Sequence, residues 1–188
     1  MGHPPSPFPA AGRILFSADA IAERLDALAA EITAFYRGKP LTVLAILNGS
    51  IPFAADLLRR LPLPLRLECL SVASYHGAAQ SSGSVTFHQT SLPAMDGRDV
   101  LLLDDILDTG RTLHAVRQRL LAEAAPRSVR VAVLLRKKKR RAEPLEADYA
   151  GFDIADEFVV GYGLDYQGHY RNLPELRVFE PPASLLKN

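Results

Sequence analysis

The stretch Val100–Leu113, "VLLLDDILDTGRTL", sets four apolar residues ahead of three aspartates within five positions, then closes on Thr109, Gly110 and Thr112. A short unbroken apolar run ended by turn residues is the pattern of a strand buried on both faces, here leading into a helix. Negative charge at the end of such a strand is a conflict. One acid is readily explained as an N-cap, or as a partner for the positive end of a helix dipole. Asp104 and Asp105 together are not: two carboxylates in a half-buried turn repel unless hydroxyls, a cation or a metal satisfy them. A sugar phosphate resolves this, because helix amides, Gly110 and the hydroxyls of Thr109 and Thr112 cradle its phosphate while its ribose hydroxyls donate to the acids. The Gly-Lys-Ser/Thr ending of a Walker loop is missing.

The same strand, turn and helix grammar recurs outward from this stretch. Ser17 is placed to cap a helix with apolar residues at Ile21, Leu25, Leu28 and Ile32, the spacing of one buried face. "LTVLAIL" (41–47) reads as a buried strand, ended by Asn48-Gly49-Ser50 and followed by a helix with Pro52 in its first turn. "LRLECLSVAS" (65–74) and "SVRVAVLLR" (128–136) read as further strands, with Cys69 as core, and a helix runs from Arg111 to about Ala124. Such alternation predicts an α/β fold, a mainly parallel twisted sheet flanked by helices. "YHGAAQSSGS" (75–84) reads as a mobile loop, and the tyrosine-rich tail from Asp148 as a small hood of strands and loops. The expected organisation is a flexible proline-rich tail over 1–12 and one domain over 13–188, with the hood built from the N-terminal segment and roughly 148–188.

Composition narrows the function. With 22 Lys and Arg against 21 Asp and Glu, no overall field argues for nucleic acid, so an anion site must be local. A single cysteine suits a reducing compartment, no run reaches the roughly 20 apolar residues that span a bilayer, and the expectation is a cytoplasmic protein with no membrane partner. The five histidines lack zinc-ligand spacing. "RKKKRR" (136–141) reads as a solvated turn.

"DDILDTGRT" resembles the 5-phosphoribosyl 1-diphosphate motif of type I phosphoribosyltransferases, and Asp108 resembles the 6-oxopurine branch, the hypoxanthine-guanine phosphoribosyltransferases. "ILNGSIPFAADLLRRL", Ser74-Tyr75, "LLRKK" and "EFVVGYGLDYQGHYRNLPEL" extend the resemblance over residues 13 to 180. The resemblance implies the type I phosphoribosyltransferase fold and transfer of phosphoribose to N9 of hypoxanthine or guanine, with release of pyrophosphate. It implies that Asp104 and Asp105 receive the ribose hydroxyls, with Asp108, Thr109, Gly110, Arg111 and Thr112 around the 5'-phosphate. Asp108 is also the implied proton acceptor facing purine N7, a carboxylate that steadies charge developing on the ribose. Lys137 is implied as donor to the 6-oxo group, Phe158 as the stacking ring, and Val159 as a source of backbone contacts to the base. Asp165 is implied as a base-site residue that also orders magnesium, with Asp104 and Asp105 as further candidate metal residues, and Arg171 to clamp pyrophosphate. Ser74 and Tyr75 would belong to a lid that excludes water.

Many family members have Lys where this chain has Asn48, ahead of Gly49, which leaves the pyrophosphate role of this loop to the Gly49 amide and leaves open whether the peptide there is cis. The implied partners are the diphosphate donor and a 6-oxopurine, with a homodimer or homotetramer as the assembly. Two other readings stand beside this one: an RNA-binding regulator on the same fold, using the basic run, and a transferase that prefers xanthine.

Overall fold

The computed structural model describes residues 12–74, 85–140 and 142–179. In chain order the elements are β1 (Ile14–Phe16), α1 (Ala18–Tyr36), β2 (Leu41–Leu47), α2 (Ile51–Leu58), β3 (Leu65–Ser74), β4 (Val85–Phe87), β5 (Asp99–Leu107), α3 (Arg111–Glu123), β6 (Ser128–Lys137), β7 (Tyr149–Ile154), β8 (Val159–Val160) and β9 (Leu176–Val178). Six of the strands form one sheet in the order β4-β3-β2-β5-β6-β7. Its ladders are parallel except at β3 and β4, where Val72–Ser74 pair antiparallel with Val85–Phe87. From β2 the chain passes first to β3 on one side and then to β5 on the other. That reversal is a topological switch point, and it opens a crevice beyond the carboxyl ends of β2 and β5.

Alternation along the central strands supplies both layers. Val43, Ala45, Leu101 and Leu103 face α1 and α2 through Ile21, Leu25, Leu28, Phe53 and Leu57. Leu44, Ile46, Val100 and Leu102 face α3 through Leu113, Val116 and Leu120. A strand with helices over both faces favours apolar residues on both sides, which is why "VLLL" is an unbroken run and "LTVLAIL" is broken only by Thr42, whose hydroxyl accepts from Arg98. Helix α1 begins where its sequence dictates, with the Ala20 amide donating to Ser17 Oγ at 3.2 Å.

The hood is a separate three-stranded antiparallel sheet in the order β1-β9-β8. Two expectations need correction. Residues 149–154 do not belong to the hood: as β7 they extend the main sheet, with Ala132 opposite Tyr149 and Lys137 opposite Ile154. Cys69 is exposed rather than core. Leu70 takes the buried side of β3, so its neighbour must point to the opposite face, where Leu67 is also exposed.

Candidate active site

Four segments converge on the crevice. Its cavity, about 250 Å³, is lined by the turn after β2 (Asn48, Gly49), the end of β5 and the loop after it (Asp104 to Gly110), the first turn of α3 (Thr112, Leu113), and Asp165 and Arg171 from the hood. Gly110, the N-cap of α3 at φ +82, has no side chain to cap the helix, and the Arg111 amide meets only Thr109 Oγ1, at 3.5 Å. The amides of its first turn are therefore directed at the crevice with the positive end of the helix dipole behind them. Gly49 is fixed by contact: a Cβ there would lie 1.7 Å from Asp105 Oδ2. Only glycine lets the first loop pass so close to the acid pair. A non-proline cis peptide is present in this loop, at Leu47-Asn48, one bond earlier than the Asn48-Gly49 peptide left open from the sequence.

The acid pair is under electrostatic stress. Burial pushes Asp104 well above the ordinary carboxylate range, and the adjacent Asp105 adds to the effect. Burial likewise pushes Asp105 up to about 6, opposed mainly by the Ile106 amide and then by Arg171. Within the pair, the Asp105 amide donates to Asp104 Oδ1 at 3.1 Å. Across the crevice, Arg171 is held by its own hood: it pairs with Asp165 at 2.6 Å and donates to the Gly163 carbonyl at 2.6 Å. Asp165 also accepts from the Gly168 amide at 2.7 Å.

A second subsite adjoins through Asp108. Lys137, buried at the end of β6, lies 3.2 Å from Asp108 Oδ2 and 2.8 Å from Asp156 Oδ1. Lys139 lies 2.5 Å from Asp108 Oδ1 and 2.9 Å from Asp156 Oδ1. Hydrogen bonds from the two lysines hold Asp156 down to about 2, and the bond to Asp108 raises Lys139. The Phe158 ring, 49% exposed, is backed on one side by Tyr166 and Phe179 at centroid distances of 6.0 and 6.1 Å. Its neighbour Val159 is buried in the hood sheet opposite Val178.

The structure thus gathers Asn48, Gly49, Asp104, Asp105, Asp108, Thr109, Gly110, Thr112, Asp165 and Arg171 around one cleft, with Lys137 joined to it through Asp108. Arg111 is exposed on the first turn of α3 and does not line the cleft. Ser74 ends β3, and Tyr75 lies outside the described residues. Among the described residues, no group of three or more His, Cys, Asp and Glu side chains is gathered to hold a metal. Sequence reasoning missed Asp156 and Lys139. Asp156 meets Lys137 only because β7 runs in register beside β6, which no local pattern announces.

A profile of the phosphoribosyl transferase domain matches residues 14–167, and the chain belongs to that family. It is 41% identical over 169 residues to a hypoxanthine-guanine phosphoribosyltransferase of Lactococcus lactis, covering 90% of this chain and 91% of that one. It is 42% identical over 168 residues to the protein of the same name from Streptococcus pneumoniae, covering 89% and 93%. The crystal structure of a hypoxanthine phosphoribosyltransferase from Staphylococcus aureus superposes with a TM-score of 0.86 at 38% identity, covering 95% of each chain. Likeness at this level places the chain in the hypoxanthine-guanine branch.

Proposed function

We propose that this chain salvages purines, transferring the 5-phosphoribosyl group from 5-phosphoribosyl 1-diphosphate to N9 of hypoxanthine or guanine. The observation that carries the reading is the junction at Asp108, where a phosphate-type helix N-terminus and a buried acid pair meet Lys137 and an open aromatic face. The 5'-phosphate takes the amides after Gly110 with the hydroxyls of Thr109 and Thr112. The ribose hydroxyls donate to Asp104 and Asp105, favouring the ionised form that burial alone disfavours. N9 attacks the anomeric carbon as the bond to pyrophosphate breaks, and the proton on purine N7 passes to Asp108. Lys137 donates to O6, which selects 6-oxopurines over adenine, since an ammonium offers nothing to an amino group. Phe158 stacks on the base, Val159 contributes backbone contacts, and Arg171 and the Gly49 amide meet the pyrophosphate.

Magnesium fits this donor set. The oxygens lining the crevice include the hard carboxylates of Asp104, Asp105 and Asp165, and an ion that binds through one or two carboxylates plus substrate oxygens needs no three-ligand protein cage. When bound it supplies positive charge to the leaving diphosphate. Ser74, at the end of β3, and Tyr75, outside the described residues, are assigned the role of keeping water from the cationic ribose. The enzyme is further assigned to the cytoplasm, as a homodimer or homotetramer; the exposed Leu67 and Cys69 on one face of β3 support an assembly contact. No described helix is long and apolar enough to cross a membrane.

The basic run does not favour the RNA-binding reading, because Arg136, Lys137 and Lys139 are engaged by Asp153, Asp108 and Asp156. Pyrophosphate release, measured with each of five free bases plus donor and magnesium, tests the assignment and separates xanthine from the other oxopurines. Hypoxanthine and guanine are expected to support release; activity with uracil alone would refute the purine reading.

A further inference from the structure

The run Arg136-Lys137-Lys138-Lys139-Arg140 is not uniform in space. Strand alternation continues past the end of β6: the Lys138 amide still donates to the Ile154 carbonyl at 2.9 Å. Even positions turn outward, with Arg136 on Asp153 at 2.6 Å and Lys138 3.9 Å from the same carboxylate. Odd positions turn to the site, where Lys137 and Lys139 each touch both Asp108 and Asp156. Two lysines and two acids form a neutral cluster with one buried cation, Lys137, and one half-buried cation, Lys139.

The oxygens of Asp108 are divided between them. Lys139 is ion-paired with Oδ1 at 2.5 Å, a buried oxygen that accepts no well-directed hydrogen bond, whereas Oδ2 faces Lys137 at 3.2 Å. N7 and O6 are adjacent on one edge of an oxopurine. An acceptor and a donor side by side, Oδ2 and Lys137 Nζ, match that edge if the carboxylate does not rotate. We propose that Lys139 is a positioning residue for base recognition: by holding Oδ1 it fixes the Asp108 carboxylate with Oδ2 turned to the N7 proton. When Lys137 gives its donors to O6, Lys139 also stays as the cation bridging Asp108 and Asp156, so the two acids are not left to repel one another. This inference rests on Asp108 as proton acceptor.

The test compares K139A, K139R, K138A and D108N in the full chain, reading kcat and KM for hypoxanthine, KM for the diphosphate donor, and inhibition by 7-deazahypoxanthine, which lacks the N7 proton. K139A is expected to lower kcat/KM for hypoxanthine by about tenfold, the scale of a misaligned reacting group. The donor KM and the 7-deazahypoxanthine inhibition constant should stay within about twofold, because neither senses Oδ2 against an N7 proton. K139R should recover most of the loss, and K138A should match the wild type. The proposal is overturned if K139A matches K138A, if hypoxanthine and its 7-deaza analogue weaken equally, or if K139A binds hypoxanthine more tightly, since Lys139 would then be competing with the base. Wild-type turnover in D108N would instead remove the proton acceptor itself, and the positioning role with it.

Discussion

Strand β5 begins and ends in buried acid, and the two ends behave in opposite ways. At the amino end Asp99, 4% exposed, accepts from the Arg127 guanidinium and from Ser128 Oγ at 2.6 Å. The Arg127 hydrogen bond holds its carboxyl below the usual range. At the carboxyl end Asp104, 8% exposed, has the Asp105 amide at 3.1 Å and a second carboxylate beside it, and both acids are pushed up. Both side chains are largely withdrawn from solvent, but desolvation is the dominant effect on Asp104, whereas at Asp99 the Arg127 hydrogen bond outweighs it. The difference is whether the fold itself supplies a donor or cation. Asp99 is answered within the chain and serves the fold; the pair at the other end is left for a ligand to answer.

The sharpest way to break this contrast is to exchange its consequences. Asp108→Asn, beside the ligand-facing end, is expected to lower turnover by about 10²- to 10⁴-fold, the usual scale for a lost general base. Its thermal midpoint should match the wild type, as read by steady-state kinetics alongside differential scanning calorimetry. Asp99→Ala is expected to do the reverse. Removing an acceptor of two charge-assisted hydrogen bonds should cost about 2 kcal/mol of stability in urea unfolding, with kcat per folded molecule unchanged. Loss of turnover in the second variant, or of stability alone in the first, would show that the two ends are not specialised.

How much of this contrast was legible in the sequence depends on distance along the chain. The carboxyl-end acids announce themselves because strand, acids, glycine and helix are contiguous, and local rules for strands, turns and helix amides then suffice. Ser17 and the stripe of Ile21, Leu25, Leu28 and Ile32 were legible for the same reason. Asp99 was passed over, since its answer, Arg127, lies across a helix and a strand boundary. Asp156 was hidden by the β6-β7 register, Cys69 by an apolar run that did not reveal which face would be covered, and β7 by a tyrosine-rich tail whose first strand joins the main sheet.

A smaller effect sharpens the comparison by pH. Asp105 titrates higher in the folded chain than in the unfolded one, so its stabilising contribution is complete below about pH 4 and is lost as pH rises through about 6. Asp99 runs the other way: its contribution stands above the ordinary carboxylate value and fades only as pH falls through its lowered one. In magnesium-free buffer, Asp104→Asn should therefore raise stability at pH 8 by about 1 kcal/mol, because one of two apposed buried charges is gone. A variant less stable than wild type at that pH would mean that the pair is already satisfied within the fold.

The smallest effect is the most specific to the ribose. Hydroxyl donors favour the ionised form of the carboxylates that accept them, so a ligand placing ribose hydroxyls on Asp104 and Asp105 lowers their proton affinity. At pH 6, near the value to which Asp105 is pushed, a nucleoside 5'-monophosphate should release a fraction of one proton on binding. Calorimetry in two buffers of different ionisation enthalpy measures that fraction directly. The 2',3'-dideoxy analogue, which keeps base and phosphate, should release less. Equal release from both would move the linked proton to the phosphate or to Asp108, and the acid pair would lose its claim to the sugar even if the enzyme kept its activity.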